Sequence, residues 1–146
     1  MKVKITDGEK NKKLKDPFDA AGEILGRRAY SSCDLSKKLL EKGYSKEDVA
    51  ECISKLIDYG YLNDAEYAIR ACQILIERGK GNQYIKQKLK QSGIASELLP
   101  ELGDEFERAM KHAEKMDGKT PEQIGRRLAG LGFAPATVYK VLGKIR

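Results

Sequence analysis

The stretch LSKKLLEKGYSKEDV at residues 35–49 decides how this chain folds, because its arrangement returns as IKQKLKQSGIASELL at 85–99 and as IGRRLAGLGFAPATV at 124–138. Leu35, Leu39, Gly43, Tyr44, Ser45 and Val49 match Ile85, Leu89, Gly93, Ile94, Ala95 and Leu99 at identical offsets, and then Ile124, Leu128, Gly132, Phe133, Ala134 and Val138. Two apolar residues four apart share one face of a helix, and a glycine four further on ends it by taking the left-handed cap conformation. A second helix then starts. In the first copy Ser45 is its N-cap with Asp48 three residues later, and Val49, Cys52, Ile53, Leu56 and Ile57 form one apolar stripe.

Outward from these paired helices, each copy has an earlier helix, over 18–29, 64–78 and 104–116. Asn63 with Glu66 marks one start, and Thr120, Pro121 and Gln123 mark another with proline at the first helical position. Pro100 falls near the end of the first turn of its helix, so the segment from about 96 to 102 is expected to be the shortest. The fold class is therefore all-α: three tandem three-helix repeats in an elongated right-angled or solenoid-like array, with long surfaces in place of one deep cleft. The boundaries are a basic tail at 1–17 and repeats at 18–62, 63–103 and 104–146. Met1 to Thr6 alternates weakly and is read as part of the tail.

Charged residues make up 34% of the chain, above the usual roughly 25%, which suits thin helical bundles with much solvated surface. Seven Tyr, three Phe and no Trp leave few rings for a base-stacking platform. Cys33, Cys52 and Cys72 have no close pair and fall in apolar patterns, so they read as small buried hydrophobes in a reducing compartment. His112 stands beside charged neighbours as an exposed surface residue, and one histidine supplies neither a metal site nor a catalytic triad. No apolar run approaches the roughly 20 residues of a membrane span, and residues 1–15 hold no signal-peptide segment. The expectation is a cytoplasmic monomer with no cofactor, no metal and no membrane partner.

The net charge of +6 is uneven: +3 over 1–17, −1 over 18–62, +1 over 63–103 and +3 over 104–146. Bases recur on the second helix of each repeat, as Lys37, Lys38 and Lys42, then Lys86, Lys88 and Lys90, then Arg126 and Arg127. Lys38, Lys88 and Arg127 share one repeat offset, and Lys140, Lys144 and Arg146 add to the third repeat. These residues are the candidate contact surface for a partner or DNA. Asp64, Glu66, Glu41, Glu47 and Asp48 sit where helix termini and caps explain them, so they indicate no paired-carboxylate site. Gly79-Lys80-Gly81 lacks the spacing of a phosphate loop and joins two helices.

Gly60-Tyr61-Leu62-Asn63-Asp64-Ala65-Glu66-Tyr67-Ala68 resembles the hallmark of the RecX family: glycine, apolar, leucine, two acids, two variable residues, aromatic, alanine. Residues 28–35 are similar to the stretch that opens the family's first repeat, and 79–94 and Gly132-Phe133 resemble later ones, so the likeness covers roughly 18–146. Asn63 replaces the usual first acid, Asp34 stands for the usual glutamate, and the family's extra base near Ser32 is absent. The resemblance implies a regulator that lies in the groove of the RecA recombinase filament on single-stranded DNA and inhibits ATP hydrolysis, strand exchange and repressor cleavage. The alternative from the residues alone is a basic helical-repeat protein that binds nucleic acid without a recombinase. An enzyme would need a convergent polar site that the sequence does not offer.

Overall fold

The computed structural model describes residues 14–145, and the regular elements among them are all helical. The first triplet is α1 (Pro17–Arg27), α2 (Ser32–Glu41) and α3 (Lys46–Asp58). Next come α4 (Asp64–Glu77) and α5 (Asn82–Gln91), then α6 (Phe106–Glu114), α7 (Pro121–Gly130) and α8 (Pro135–Ile145). The weak alternation at Met1 to Thr6 and most of the basic tail lie outside the described residues.

Local chemistry sets the helix boundaries. Ser45 Oγ accepts from Asp48 N at 3.0 Å and Asn63 Oδ1 from Glu66 N at 3.1 Å, while Thr120 and Gln123 exchange side-chain and backbone bonds in a full capping box. Gly43, Gly93 and Gly132 carry φ of 109°, 78° and 96°, the left-handed geometry expected of repeated helix ends.

The second triplet differs from the reading at its third member. In place of a helix over about 96–102 there is a single 3-10 turn, Ser96–Leu98, after which Leu99 is extended at φ −68° and ψ 125°. The ring of Pro100 disfavours helical ψ at the residue before it, so the turn cannot propagate.

Packing divides the chain into two compact units, one ending at Tyr67 and one beginning at Ala68, and the break falls inside α4. In the first unit α1, α2 and α3 close over Ala21, Ile24, Leu35, Leu39, Val49, Cys52 and Leu56. In the second, α6, α7 and α8 close over Ala109, Ala113, Ile124, Leu128, Phe133 and Val141, and α5 buries Ile85 and Leu89.

Two side-chain placements depart from the reading. Cys52 and Cys72 are buried, and burial pushes both thiols up, but Cys33 is only half-buried. His112 is half-buried, not exposed, with its ring 6.0 Å from that of Phe133. Burial, then the cations Lys115, Arg127 and Arg108, hold its pKa below the usual histidine value. The ring fills the space beside Gly79, where an added Cβ would overlap it. No described helix is long and apolar enough to cross a membrane.

Candidate functional site

The first amides of a helix are the backbone's ready-made anion sites. In this chain groups of the protein itself occupy several of them, hydroxyls at α3 and α7 and carboxylates at α2, α5 and α8. Ser32, at the start of α2, donates its N–H to Asp64 Oδ1 at 2.8 Å and its hydroxyl to Oδ2 at 2.6 Å. Asp64 does stand in the first turn of α4, where the sequence reading put it, but its hydrogen bonds close a different helix, 32 residues away.

Glu105 plays the same part in the second unit. It is 5% exposed, and Oε1 accepts from Asn82 N at 2.7 Å while Oε2 accepts from Ala134 N at 2.9 Å and from the Thr137 hydroxyl at 2.6 Å. One carboxylate thus ties together the starts of α5 and α8. Burial pushes its pKa up, but the bonds from Thr137, Asn82 and Ala134 and the nearby Arg108 outweigh that, leaving it below the usual glutamate value. Arg108 Nη2 also donates to Asn82 Oδ1 at 2.8 Å. Gly81 N donates to Leu131 O at 2.8 Å and Gln83 N to Gly132 O at 3.0 Å, so the amides of Gly81, Asn82 and Gln83 are all taken. With these amides taken, the exposed bases of α2 and α5 are the groups placed to meet an anionic partner.

Those side chains are available. Lys37, Lys38, Lys42, Lys86, Lys88, Lys90, Arg126, Arg127, Lys140 and Lys144 are all exposed, and Arg146 lies outside the described residues. The ion pairs among the described residues are Lys15–Glu23 and Lys55–Glu51, so none of these bases is neutralised by one. Lys42 borders a cleft with Glu23, Arg27 and Tyr44, and the Lys140 ammonium lies 4.9 Å from the Phe106 ring centroid.

On α5, Ile85 and Leu89 face the core. At 3.6 residues per turn, Gln83, Gln87 and Gln91 then occupy the outer face, edged by Lys88 on one side and by Lys86 and Lys90 on the other. Gln83, Tyr84, Gln87, Lys88, Gln91 and Gly132 line a shallow groove, and the Lys80 ammonium lies 4.6 Å from the Tyr84 ring centroid. Lys88 and Arg127 share a repeat offset but meet different surroundings: Lys88 faces amides, while Arg127 lies near His112 with Lys115 and Arg108. The sequence reading passed over the amide row, whose signal is glutamines at i, i+4 and i+8, and it missed Glu105, which gave no sequence signal. Among the described residues no three His, Cys, Asp or Glu side chains gather as metal ligands.

Comparison with known proteins bears on the family and the fold. A family model described as "RecX, first three-helix domain" matches residues 18–56. The chain is similar to a protein named regulatory protein RecX from Acidithiobacillus ferrooxidans, 33% identical over 135 residues that cover 88% of this chain and 89% of the relative. Another of that name, from Vibrio campbellii, is 34% identical over 102 residues, covering 66% of each. In fold it is similar to the crystal structure of RecX from Lactobacillus salivarius, with TM-score 0.73, 21% identity and coverage of 88% of this chain and 93% of the other. A second crystal structure of regulatory protein RecX gives TM-score 0.71 at 23% identity, covering 88% of this chain and 70% of the other. The extent and identity of the first match decide the assignment: the chain belongs to the RecX family of regulatory proteins.

Proposed function

We propose that this chain binds the filament that RecA recombinase forms on single-stranded DNA and inhibits its ATP hydrolysis, strand exchange and coprotease activity, and so modulates recombination and DNA repair. It does so as a cytoplasmic monomer of three helical repeats, 18–62, 63–103 and 104–146, by docking and without a catalytic group or cofactor. The observation that carries this reading is α5 and the segment before it: Arg78, Lys80, Lys86, Lys88 and Lys90 lie in a stretch of sequence with no acid between Glu77 and Glu97, and the three lysines on α5 are exposed and form no ion pair among the described residues. Such a face attracts and orients an anionic surface through partly screened charge. The same face also favours a second reading, direct binding of nucleic acid with no recombinase involved, which requires tight and strongly salt-dependent DNA binding by the chain alone.

Reversing the repeated charge tests the docking surface. Changing Lys38, Lys88 and Arg127 together to Glu is expected to leave the helical fold intact, since exposed charges alter stability by about 0.5 kcal/mol or less each. It is expected to abolish inhibition of filament ATP hydrolysis at physiological salt, while single changes to Ala are mild. A folded triple variant that inhibits as well as the parent would show that these three residues are only a solvated face.

A further inference from the structure

At the end of α3 three aromatic rings of the first unit gather against one another. The Phe18 and Tyr59 centroids lie 6.0 Å apart and that of Tyr61 lies 6.4 Å from each, with interplanar angles of 79°, 67° and 86°. Each pair meets edge to face, the arrangement that aromatic pairs prefer. The backbone fixes the turn that carries the tyrosines: Gly60 takes φ 84°, and Tyr61 N and Leu62 N donate to Leu56 O at 2.9 and 3.2 Å. Phe18 packs against the core, yet Tyr59 and Tyr61 are each 65% exposed. Single exposed rings are ordinary, whereas rings grouped and left in water mark a contact surface.

We propose that this trio receives an arginine-bearing peptide segment of another protein, a guanidinium lying on the exposed tyrosine faces and drawn there by the carboxylates of Asp19 and Asp58. Charge selects a cation. The segments that build the patch, 16–26 and 56–69, contain no Lys or Arg, and the flanking bases Lys15 and Lys55 are paired with Glu23 and Glu51. Asp16 and Asp64 are engaged at helix starts. Asp19 and Asp58, next in sequence to Phe18 and Tyr59, are exposed and form no ion pair among the described residues. Elsewhere the chain covers rings with its own cations. Arg28 lies 3.9 Å from the Tyr30 centroid, Lys80 4.6 Å from that of Tyr84 and Lys140 4.9 Å from that of Phe106, whereas none of these cations covers the trio. Arginine is favoured over lysine because its planar group stacks on a ring and keeps N–H donors in its plane for a carboxylate. Nucleic-acid phosphates would be repelled by Asp19 and Asp58, so the proposal is independent of the filament reading.

The test follows binding of a labelled peptide of alternating glycine and arginine to the full chain by fluorescence anisotropy. The same peptide is measured with lysine, or with uncharged citrulline, in place of arginine. The arginine peptide is expected to bind more tightly than the lysine one and about tenfold more tightly than the citrulline one. Tyr59→Ala with Tyr61→Ala is expected to weaken arginine-peptide binding about tenfold, and Tyr59→Phe with Tyr61→Phe, which keeps the rings, by less than about twofold. Asp19→Asn with Asp58→Asn is expected to weaken it and to flatten its dependence on salt. Both tyrosines are exposed, so circular dichroism of the Ala pair should match the parent. In nuclear magnetic resonance spectra the arginine peptide should shift the ring signals of Tyr59 and Tyr61 and leave those of Tyr139, 82% exposed and next to Lys140, in place. Undiminished binding by the folded Ala pair, equal binding of the citrulline peptide, or equal shifts at Tyr139 overturns the proposal. So does an oligodeoxynucleotide that shifts the same two rings, since the face would then not select cations. Self-association of the chain that disappears in the Ala pair also overturns it, because the occupant would be a second copy.

Discussion

Glu105→Ala is expected to destabilise the second unit by about 3 to 4 kcal/mol, the range for removing one partner of a buried charged network. The side chain is 5% exposed, and its loss orphans the amides of Asn82 and Ala134 and the Thr137 hydroxyl, donors on two helices that are half-buried in the fold. Urea unfolding followed by far-ultraviolet circular dichroism measures the effect, and a loss below about 1 kcal/mol would show that the carboxylate is peripheral. The same residue predicts an acid response. Its folded pKa lies below the ordinary value of 4.5, so its contribution is complete above that pH and is lost as pH falls through the lower folded value. Glu105→Gln should remove that part of the pH dependence and leave the remainder.

Gly81→Ala is expected to be as damaging for a different reason. Gly81 has an ordinary φ of −83°, so alanine meets no backbone strain there. Its Cβ would instead overlap Phe133 N and the Gly132 carbonyl, which are backbone and cannot rotate aside. The turn at 131–133 must retreat, breaking the bonds from Gly81 N to Leu131 O and from Gln83 N to Gly132 O. A cost of about 3 kcal/mol follows from overpacking with loss of two hydrogen bonds. Gly60→Ala is the control: φ is 84° but nothing lies within 4 Å of the added Cβ, so only the conformational penalty of about 1 kcal/mol applies. Equal thermal shifts for the two variants would contradict the close approach of α5 to the turn.

What could be read from sequence was what short-range chemistry controls. The Ser45, Asn63 and Thr120 caps and the positive-φ glycines involve partners within a few residues, and the apolar spacing fixes which face of each helix is buried. The missing third helix of the second triplet shows the limit, because Pro100 was seen to weaken the segment but its hold on Leu99 stops the helix after one 3-10 turn. The carboxylate clamps were not legible, since Asp64 bonds Ser32 and Glu105 bonds Thr137 each across 32 residues, and a local reading sees only acids near helix starts. For the site, the lysines were visible as a repeated offset, whereas the grouping of Lys88 with the glutamines depends on α5 standing against Gly132.

Regulation of the recombinase filament by docking is tested most directly by titrating the unaltered chain into recombinase assembled on single-stranded DNA and following ATP hydrolysis at physiological salt. Hydrolysis is predicted to fall with added chain and to recover when the Lys38, Lys88 and Arg127 charges are reversed. Hydrolysis that stays constant through saturating chain would contradict the account.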